Sequence, residues 1–397
     1  MPNLVDWNNC CGCSACASKC PKNAIGMKPN HEGFLHPVID SSLCVECGSC
    51  EIVCPGLSPA TTGNNNPKAF IVQHKDDDIR YQSASGGAFT AIAEEVIRRG
   101  GVVFGAIMTE QLYVRHEQVE TLEGLAKFRK SKYVQSDVGL TYQETKKYLE
   151  LNKWVCYSGT PCQINGLYKY LGREYTNLIT VDVVCKSVPS PLIFNKYIKF
   201  KEESEGSIYD VVFRDKKRGF LYCTMAHYSS LKQKQTGHSI YRRGSESDEW
   251  LRLFKSGKIS RRSCTTCLFQ KSDRVSDFTL GDIWETSEPG WDDNKGTTLV
   301  HVWTEKGIKF LDSLKDEIKI EEYPHGLDRG LNRKCGPELF KKRKQLFIDA
   351  HNLSSQEFFV KYAPYSFVVK MKQISRFLLW KAGLHNMVRH IKHVLIH

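Results

Sequence analysis

The chain has 397 residues, 41% apolar and 25% charged, with a mean hydropathy of −0.40. This balance excludes a disordered or fibrous chain and leaves room for one large or two ordinary cores. No run of 18 apolar residues argues for a membrane span, and residues 1–30 hold no apolar signal-peptide core, so a cytoplasmic setting is expected. The formal charge is +12, from 56 Lys and Arg against 44 Asp and Glu, and there are 16 cysteines. In a reducing compartment clustered thiols bind metal or do redox chemistry more often than they pair as disulfides.

In chain order, the first element is a cysteine run. "CCGCSACASKCPKNAI" begins at Cys10, and Cys10, Cys13, Cys16 and Cys20 followed by Pro21 read C-x2-C-x2-C-x3-C-P. Cys44, Cys47, Cys50 and Cys54 followed by Pro55 repeat the pattern. A cubane [4Fe–4S] cluster needs four thiolate corners. One tight loop wraps three of them, and in two-cluster ferredoxins the last cysteine of each run serves the other cluster. The spacing therefore assigns Cys10, Cys13, Cys16 and Cys54 to one cluster, and Cys44, Cys47, Cys50 and Cys20 to a second, with Cys11 a non-ligand. Gly12, Ser14, Ala15, Ala17, Gly48 and Ser49 are small enough for amide N–H groups to approach the sulfurs. A pair of zinc knuckles is the competing reading, and zinc sites rarely show two complete runs of this kind. Residues 1–60 are thus expected to form a bacterial-type ferredoxin domain, with a linker at 61–68.

Residues 69–335 alternate β-like and helical stretches, which predicts a mixed-sheet α/β domain and an overall α+β / α/β class. Strands are expected at 69–74, 101–108, 153–159 and 178–185, and helices at 86–99, 161–171 and 190–204. "IYDVVFRD" and "FLYCTMAHY" read as an antiparallel hairpin. Ser83, Ser85, Gly86 and Gly87 precede one helix, and Gly159 and Thr160 another. Such turns expose backbone N–H groups at a positive helix end and hold phosphates, although an ordinary N-cap is the simpler reading of each. Neither turn is G-x-G-x-x-G or a P-loop, so neither NAD nor ATP is indicated. Two phosphate-sized turns in a chain with clusters point to a dinucleotide flavin, FAD. Cys162 sits in "GTPC", Cys185 ends a strand, and Cys264 and Cys267 form "CTTC". Strand ends and helix starts converge on one edge of an α/β sheet, where these four thiols would complete a third cluster. Half a zinc ribbon is the alternative for a lone C-x2-C. Cys156, Cys223 and Cys335 read as buried or incidental thiols.

Residues 336–397 read as a basic helical tail. From Glu338 onward eleven Lys and Arg stand against three Asp and Glu, including "KKRK" at 341–344, with Phe377, Leu378, Leu379 and Trp380 among the later cations. Peripheral contact with the inner face of a membrane, or with an acidic partner, competes with a helix packed on its own domain. No nucleic-acid-binding signature accompanies the charge, so no nucleic acid partner is expected.

"SASGGAFTAI", "YSGTPCQINGL", "VDVVCKSVPSP", "CTTCLFQKSDRVSDFTLGDIW" and "GTTLVHVWTEKG" stand in this order behind the cluster run. Together they resemble the family of beta subunits of coenzyme F420 hydrogenases and dehydrogenases, over residues 1 to about 335. The resemblance implies an FAD-binding oxidoreductase domain with the flavin beside an iron–sulfur cluster. The family includes subunits that reduce coenzyme F420, plant and cyanobacterial enzymes that reduce a chlorophyll derivative, and bacterial members found in polysaccharide gene clusters. By motif, Cys162, Cys185, Cys264 and Cys267 match the family's cysteines, which implies a third [4Fe–4S] cluster. Two departures touch the expected active face: Lys186 and Ser187 stand where the family often has His-Gly, and Glu285 where a glycine usually follows "GDIW".

The expected function is that of an iron–sulfur flavoprotein oxidoreductase, converting two-electron flavin chemistry into single-electron steps. Coenzyme F420 and a sugar-linked polysaccharide intermediate are its candidate small-molecule substrates, and a redox partner protein or ferredoxin its electron partner. The alternative is a non-catalytic electron-transfer subunit of a larger complex. Ser83, Ser85, Gly86, Gly87, Gly159 and Thr160 would hold the flavin phosphates, and Lys132 and Tyr133 would face the flavin. Asp277 and Asp282 would orient the ribityl chain or substrate, turn and cap acids being their plainer reading.

Overall fold

The structure is a computed structural model that describes residues 1–61, 67–230, 248–270, 273–284, 288, 290–327, 331 and 343–384. Its strands are β1 (Ile25–Pro29), β2 (Leu35–Ile39), β3 (Lys68–His74), β4 (Val102–Met108), β5 (Val114–Val119), β6 (Val155–Gly159), β7 (Leu178–Val183), β8 (Ile208–Asp215), β9 (Thr224–Ser229), β10 (Phe278–Ile283), β11 (Thr297–Val302) and β12 (Ile318–Glu322). The expected strands and helices appear where the sequence placed them, and the helix Pro161–Leu171 has the predicted bounds.

The chain divides into two compact units, Met1–Leu192 with Ser260–Leu339, and Ile193–Ile259 with Phe340–His397. This differs from the expected division at residues 60 and 335. The ferredoxin-like segment shares a unit with the large sheet, because its loops are tied directly to that sheet's helices. Ala60 N–H donates to Asn165 Oδ1 at 2.9 Å, Gln143 Nε2 to the Ser18 carbonyl at 2.8 Å, and Leu35 N–H to Gln135 Oε1 at 3.0 Å.

In the first unit β1 and β2 form an antiparallel pair flanked by the short helices Ala15–Lys19 and Ser49–Ile52. The main sheet has the order β12-β3-β11-β10-β7-β6-β4-β5. Its centre, β4, β6, β7 and β10, is parallel. These strands read as near-continuous apolar runs because helices cover both faces. Ile92, Val96, Val103, Ile179, Phe278 and Phe310 pack on one face. Phe104, Tyr142, Tyr157, Ile164, Leu167 and Cys13 pack on the other. The polar residues of β5 and β12 suit their places as edges. Since β11 is antiparallel to both β10 and β3, the C-terminal ends of β3, β4, β6, β7 and β10 share one edge.

The second unit carries the expected antiparallel hairpin, β8 with β9. Its core includes Phe194 against Trp250 at a ring distance of 5.0 Å and Phe200 stacked on Phe359 at 4.9 Å. A buried ion pair joins Lys201 Nζ to Asp248 at 3.0 Å. The basic tail is helical where described, at Arg343–Asn352, Ser355–Tyr362 and Phe367–Lys381. Glu285, Cys335, Lys341 and Lys342 lie outside the described residues. Among the described residues no helix is long and apolar enough to cross a membrane.

Candidate functional site

The N-terminal loops fold tightly because Gly12, Ser14 and Gly48 hold left-handed φ angles of +70°, +65° and +71°. Amide N–H groups of Gly12, Ala15 and Ala17 consequently donate to Cys10, Cys13 and Cys16. Ala24 N–H donates to Cys20 Sγ at 3.3 Å. Cys54 lies by the first cysteine run and Cys20 by the second. Cys10 acts on the ionisation of Cys13 and Cys16, Cys16 on that of Cys13, and Cys54 on those of Cys10 and Cys16. Burial, then the neighbouring Cys10 and Cys54, pushes the Cys16 thiol up to about 12. Thiols that resist ionisation together are relieved when a cluster binds them as thiolates. Cys20, Cys44, Cys47 and Cys50 line a separate cleft of about 320 Å³, counting space open to solvent. Cys47 is exposed, whereas all four cysteines of the first set are buried.

The remaining four motif cysteines also converge. Cys162 opens the helix after β6, Cys185 follows β7, and Cys264 and Cys267 lie in the segment that leads back to β10. Burial is the main force raising the Cys185 thiol, and its neighbours Cys264, Cys162 and Cys267 add to it. The Cys264 thiol is pushed up to about 12 by burial, with Cys162 and Cys267 adding to it. Two side chains knit the loops together: Gln270 Nε2 donates to the carbonyls of Cys185 and Lys186 at 2.6 and 2.9 Å, and Ser187 bonds Ser260 at 2.6 Å. Ser187, one of the departures from the family pattern, is thereby a tie between segments.

A single tetrahedral zinc ion would hold its sulfurs ~3.8 Å apart, given Zn–S bonds of ~2.3 Å. Among the described residues the one set of ligand atoms all within 4.8 Å is His74, Glu94 and Glu317. The four thiols are therefore spread more widely than one zinc ion requires. The His74 set is an ion-pair network. Its Nδ1 accepts from Asp76 N–H at 3.0 Å, which leaves the proton on Nε2 facing Glu94, and Arg98 pairs with Glu94 and Glu317 at 3.6 and 2.9 Å.

Cys11, expected to be a bystander in its loop, makes a side-chain contact with Cys162. Next to it Gly166 has no room for a Cβ: one built there would lie 2.9 Å from Cys13 Sγ. Helix Pro161–Leu171 thus brings the first cluster loop and the second cysteine constellation side by side. Neither Cys11's contact nor Gly166 was legible from spacing.

The flavin expectations meet a mixed outcome. At the first turn Ser83 Oγ donates to the Ile79 carbonyl at 2.7 Å and Ser85 Oγ to the Thr297 carbonyl at 2.7 Å. Gly86 N–H donates to Thr298 Oγ1 at 2.8 Å, and a Cβ at Gly86 would lie 2.3 Å from the Val72 carbonyl. These groups shape the turn. What it presents is backbone: among the described residues no side chain caps the helix Ala88–Arg98, whose N-cap is Gly87 at φ +90°. Asp282 is half-buried and directly opposite Thr298 in the β10–β11 pairing, beside this turn.

The second turn is tied by its own side chains. Gln163 Oε1 accepts from Thr160 N–H at 2.9 Å, and Pro161 has no N–H to offer. Gly159 and Thr160 therefore lie in a capped turn, and Thr160 Oγ1 contacts Cys162 Sγ at 3.1 Å. Asp277 is held inside the fold. It is fully buried, accepts from Thr180 N–H, Thr180 Oγ1 and Thr304 Oγ1 at 2.9, 3.0 and 2.6 Å, and pairs with Lys306 at 3.2 Å. Lys132 Nζ donates to the carbonyls of Lys127 and Arg129 at 2.9 and 3.0 Å, closing the turn Glu123–Phe128.

Residues 152–325 match the family model for the C terminus of the coenzyme F420 hydrogenase/dehydrogenase beta subunit, and residues 9–56 match a 4Fe-4S dicluster domain. The chain is 22% identical over 341 residues to one of the subunits of the F(420)H(2) dehydrogenase of Methanosarcina mazei, a match that spans 82% of this chain and 87% of that protein. It is 26% identical over 170 residues to the coenzyme F420-dependent sulfite reductase of Methanocaldococcus jannaschii, covering 43% of this chain but only 26% of that protein. A chain of the F420-reducing [NiFe] hydrogenase complex from Methanosarcina barkeri aligns with a TM-score of 0.45 and 16% identity, over 73% of this chain and 90% of that one. By these matches residues 152–325 belong to the family of coenzyme F420 hydrogenase/dehydrogenase beta subunits, and with the two-cluster [4Fe–4S] domain ahead of them they make the chain an iron–sulfur redox protein.

Proposed function

We propose that the chain is an oxidoreductase that relays electrons between its two N-terminal [4Fe–4S] clusters, a third [4Fe–4S] cluster on Cys162, Cys185, Cys264 and Cys267, and an FAD. The observation that carries this reading is the convergence of four thiols from three chain segments beside the first cluster loop. The uncapped amide end of Ala88–Arg98 supports an FAD pyrophosphate site, since anions bind such ends and Gly86 and Gly87 permit close approach. Asp282 is the polar side chain of this edge best placed to orient a ligand there. When bound, FAD supplies hydride exchange with an organic substrate and single-electron exchange with the clusters. Coenzyme F420 is the first substrate to test, since two relatives carry it in their names. A sugar-linked intermediate is the second.

The alternative, an electron-transfer subunit, draws support from the exposed Cys47 and its open cleft, a natural port for a redox partner. Peripheral docking of the tail draws support from the helix Phe367–Lys381, which exposes Phe367, Met371, Ile374 and Leu378 at helical spacing among Lys370, Lys372 and Arg376.

The test is iron, sulfide and flavin quantification on one anaerobic preparation, followed by turnover with coenzyme F420. About twelve irons with one FAD per chain support the relay, whereas about eight irons without flavin leave a two-cluster carrier. Flavin without turnover by the isolated chain favours the reading as a subunit.

A further inference from the structure

Arg261 lies three residues before Cys264 and is only 1% exposed. Its Nε donates to the Cys10 carbonyl at 2.6 Å, and its Nη2 donates to the Leu35 carbonyl at 2.9 Å and faces the His36 ring. Burial first, then Arg261 itself, drives His36 down to about 3, so that neighbour is neutral. Phe34 lies under the guanidinium at 5.4 Å. Nη1 has no hydrogen-bond partner among the described residues, and no carboxylate of those residues lies within ion-pair distance of Arg261. A guanidinium does not shed its proton, and a buried charge without an opposite charge costs several kcal/mol. This cation therefore needs a counter-charge that the side chains of the described residues do not supply.

The surroundings indicate what it is. A Cβ on Gly12 would lie 2.8 Å from Nη1, so the glycine lets the guanidinium rest against the loop between Cys10 and Cys13. Arg261 N–H donates to the Val188 carbonyl at 2.8 Å, and Cys264 N–H to the Arg261 carbonyl at 3.1 Å, which fixes the residue at the base of the other cysteine constellation. Its charge is felt by Cys10 on one side and by Cys162 and Cys264 on the other. All-cysteine [4Fe–4S] centres are anionic and become more so on reduction.

We infer that Arg261 is the shared counter-charge of two iron–sulfur centres, the one at Cys10, Cys13, Cys16 and Cys54 and the one proposed at Cys162, Cys185, Cys264 and Cys267. The inference rests on the third-cluster reading for the second of these. A cation fixed beside both centres favours their reduced forms and raises their potentials above what the same buried centres would have without it. Arg261 is a positioning residue: it tunes the relay without ligating iron.

The experiment is an EPR-monitored redox titration of the full-length protein, purified anaerobically, as wild type, Arg261→Gln and Arg261→Lys, with Cys47→Ser used to assign the exposed centre and iron counted in each. Arg261→Gln should lower the midpoint of the first inner centre at least tenfold in its reduction equilibrium, ~59 mV for one electron, and leave the exposed centre unmoved. Arg261→Lys should restore most of that loss. Full iron with unshifted midpoints in Arg261→Gln overturns the inference and leaves a packing residue. If Arg261→Gln fails to fold, Arg261→Met enters the same titration, and full iron with unshifted midpoints there overturns the inference. A wild type with about eight irons would sink the third cluster alone, because the shift at the Cys10 centre still judges Arg261.

Discussion

Gly166 offers the sharpest test of how the ferredoxin loop meets the main domain. It stands inside the helix Pro161–Leu171, where glycine costs about 1 kcal/mol relative to alanine. In an unencumbered helix Gly166→Ala would therefore be stabilising. Here the added Cβ would meet Cys13 Sγ at 2.9 Å, Cys13 Cβ at 3.0 Å and the Tyr142 hydroxyl at 3.1 Å. Neither neighbour yields easily. Tyr142 is fully buried and its hydroxyl donates to the Gln163 carbonyl at 2.6 Å, and Cys13 is pinned once it ligates iron. Overpacking a filled site costs about 1–3 kcal/mol, so the net effect is a destabilisation of up to about 2 kcal/mol. The displacement should fall on the Cys10–Cys16 loop. Thermal unfolding, iron content and the EPR signal of the first cluster would be compared with wild type. Gly26→Ala serves as the control, because a Cβ there meets nothing nearer than Lys28 Cε at 3.9 Å. A Gly166→Ala protein stabilised by about 1 kcal/mol, with full iron and an unchanged signal, would refute the described contact.

Cys11→Ser should keep every iron of the parent protein, because Cys11 stands outside both four-cysteine sets; loss of about four irons would make it a ligand. Asp182 is pushed up to about 6 by burial, against the pull of Arg274, so its folded value exceeds the ordinary 3.8. The native state then binds more protons across that interval, and stability falls as pH rises from about 4 to 6. Asp182→Asn should raise stability by up to about 3 kcal/mol at pH 8 and by almost nothing at pH 4; equal shifts in melting temperature at both pH values would contradict this. Burial opposes ionisation of Asp248, but Lys201 and the Trp250 amide hold it down to about 2. Its stabilisation is accordingly present above about pH 4 and lost as pH falls towards 2. Lys201→Met strands that carboxylate and should cost about 3–5 kcal/mol at neutral pH in denaturant unfolding, a loss below 1 kcal/mol counting against the pair.

The two-cluster [4Fe–4S] domain was readable in the chain because three corners of each cubane are met by cysteines three positions apart, so local spacing carries most of the geometry. The central strands were readable for a similar reason: burial on both faces demands runs such as "VVFGAIM", whatever the neighbours are. The flavin residues were less so. Ser85, Thr160 and Asp277 look like ligand groups in one dimension, yet each finds its partner inside the fold, at Thr297, Cys162 and Thr180. The domain boundaries also escaped, since the segment 193–259 leaves the sheet after β7 and is completed by residues beyond 340, a pairing no linker composition announces. Arg261 and Gly166 illustrate the same limit. Local chemistry along the chain determined which thiols gather and where the strands run. Only the tertiary structure decided that a buried arginine from position 261 would lie against a loop at position 12, because charge burial and close packing depend on which distant segments meet.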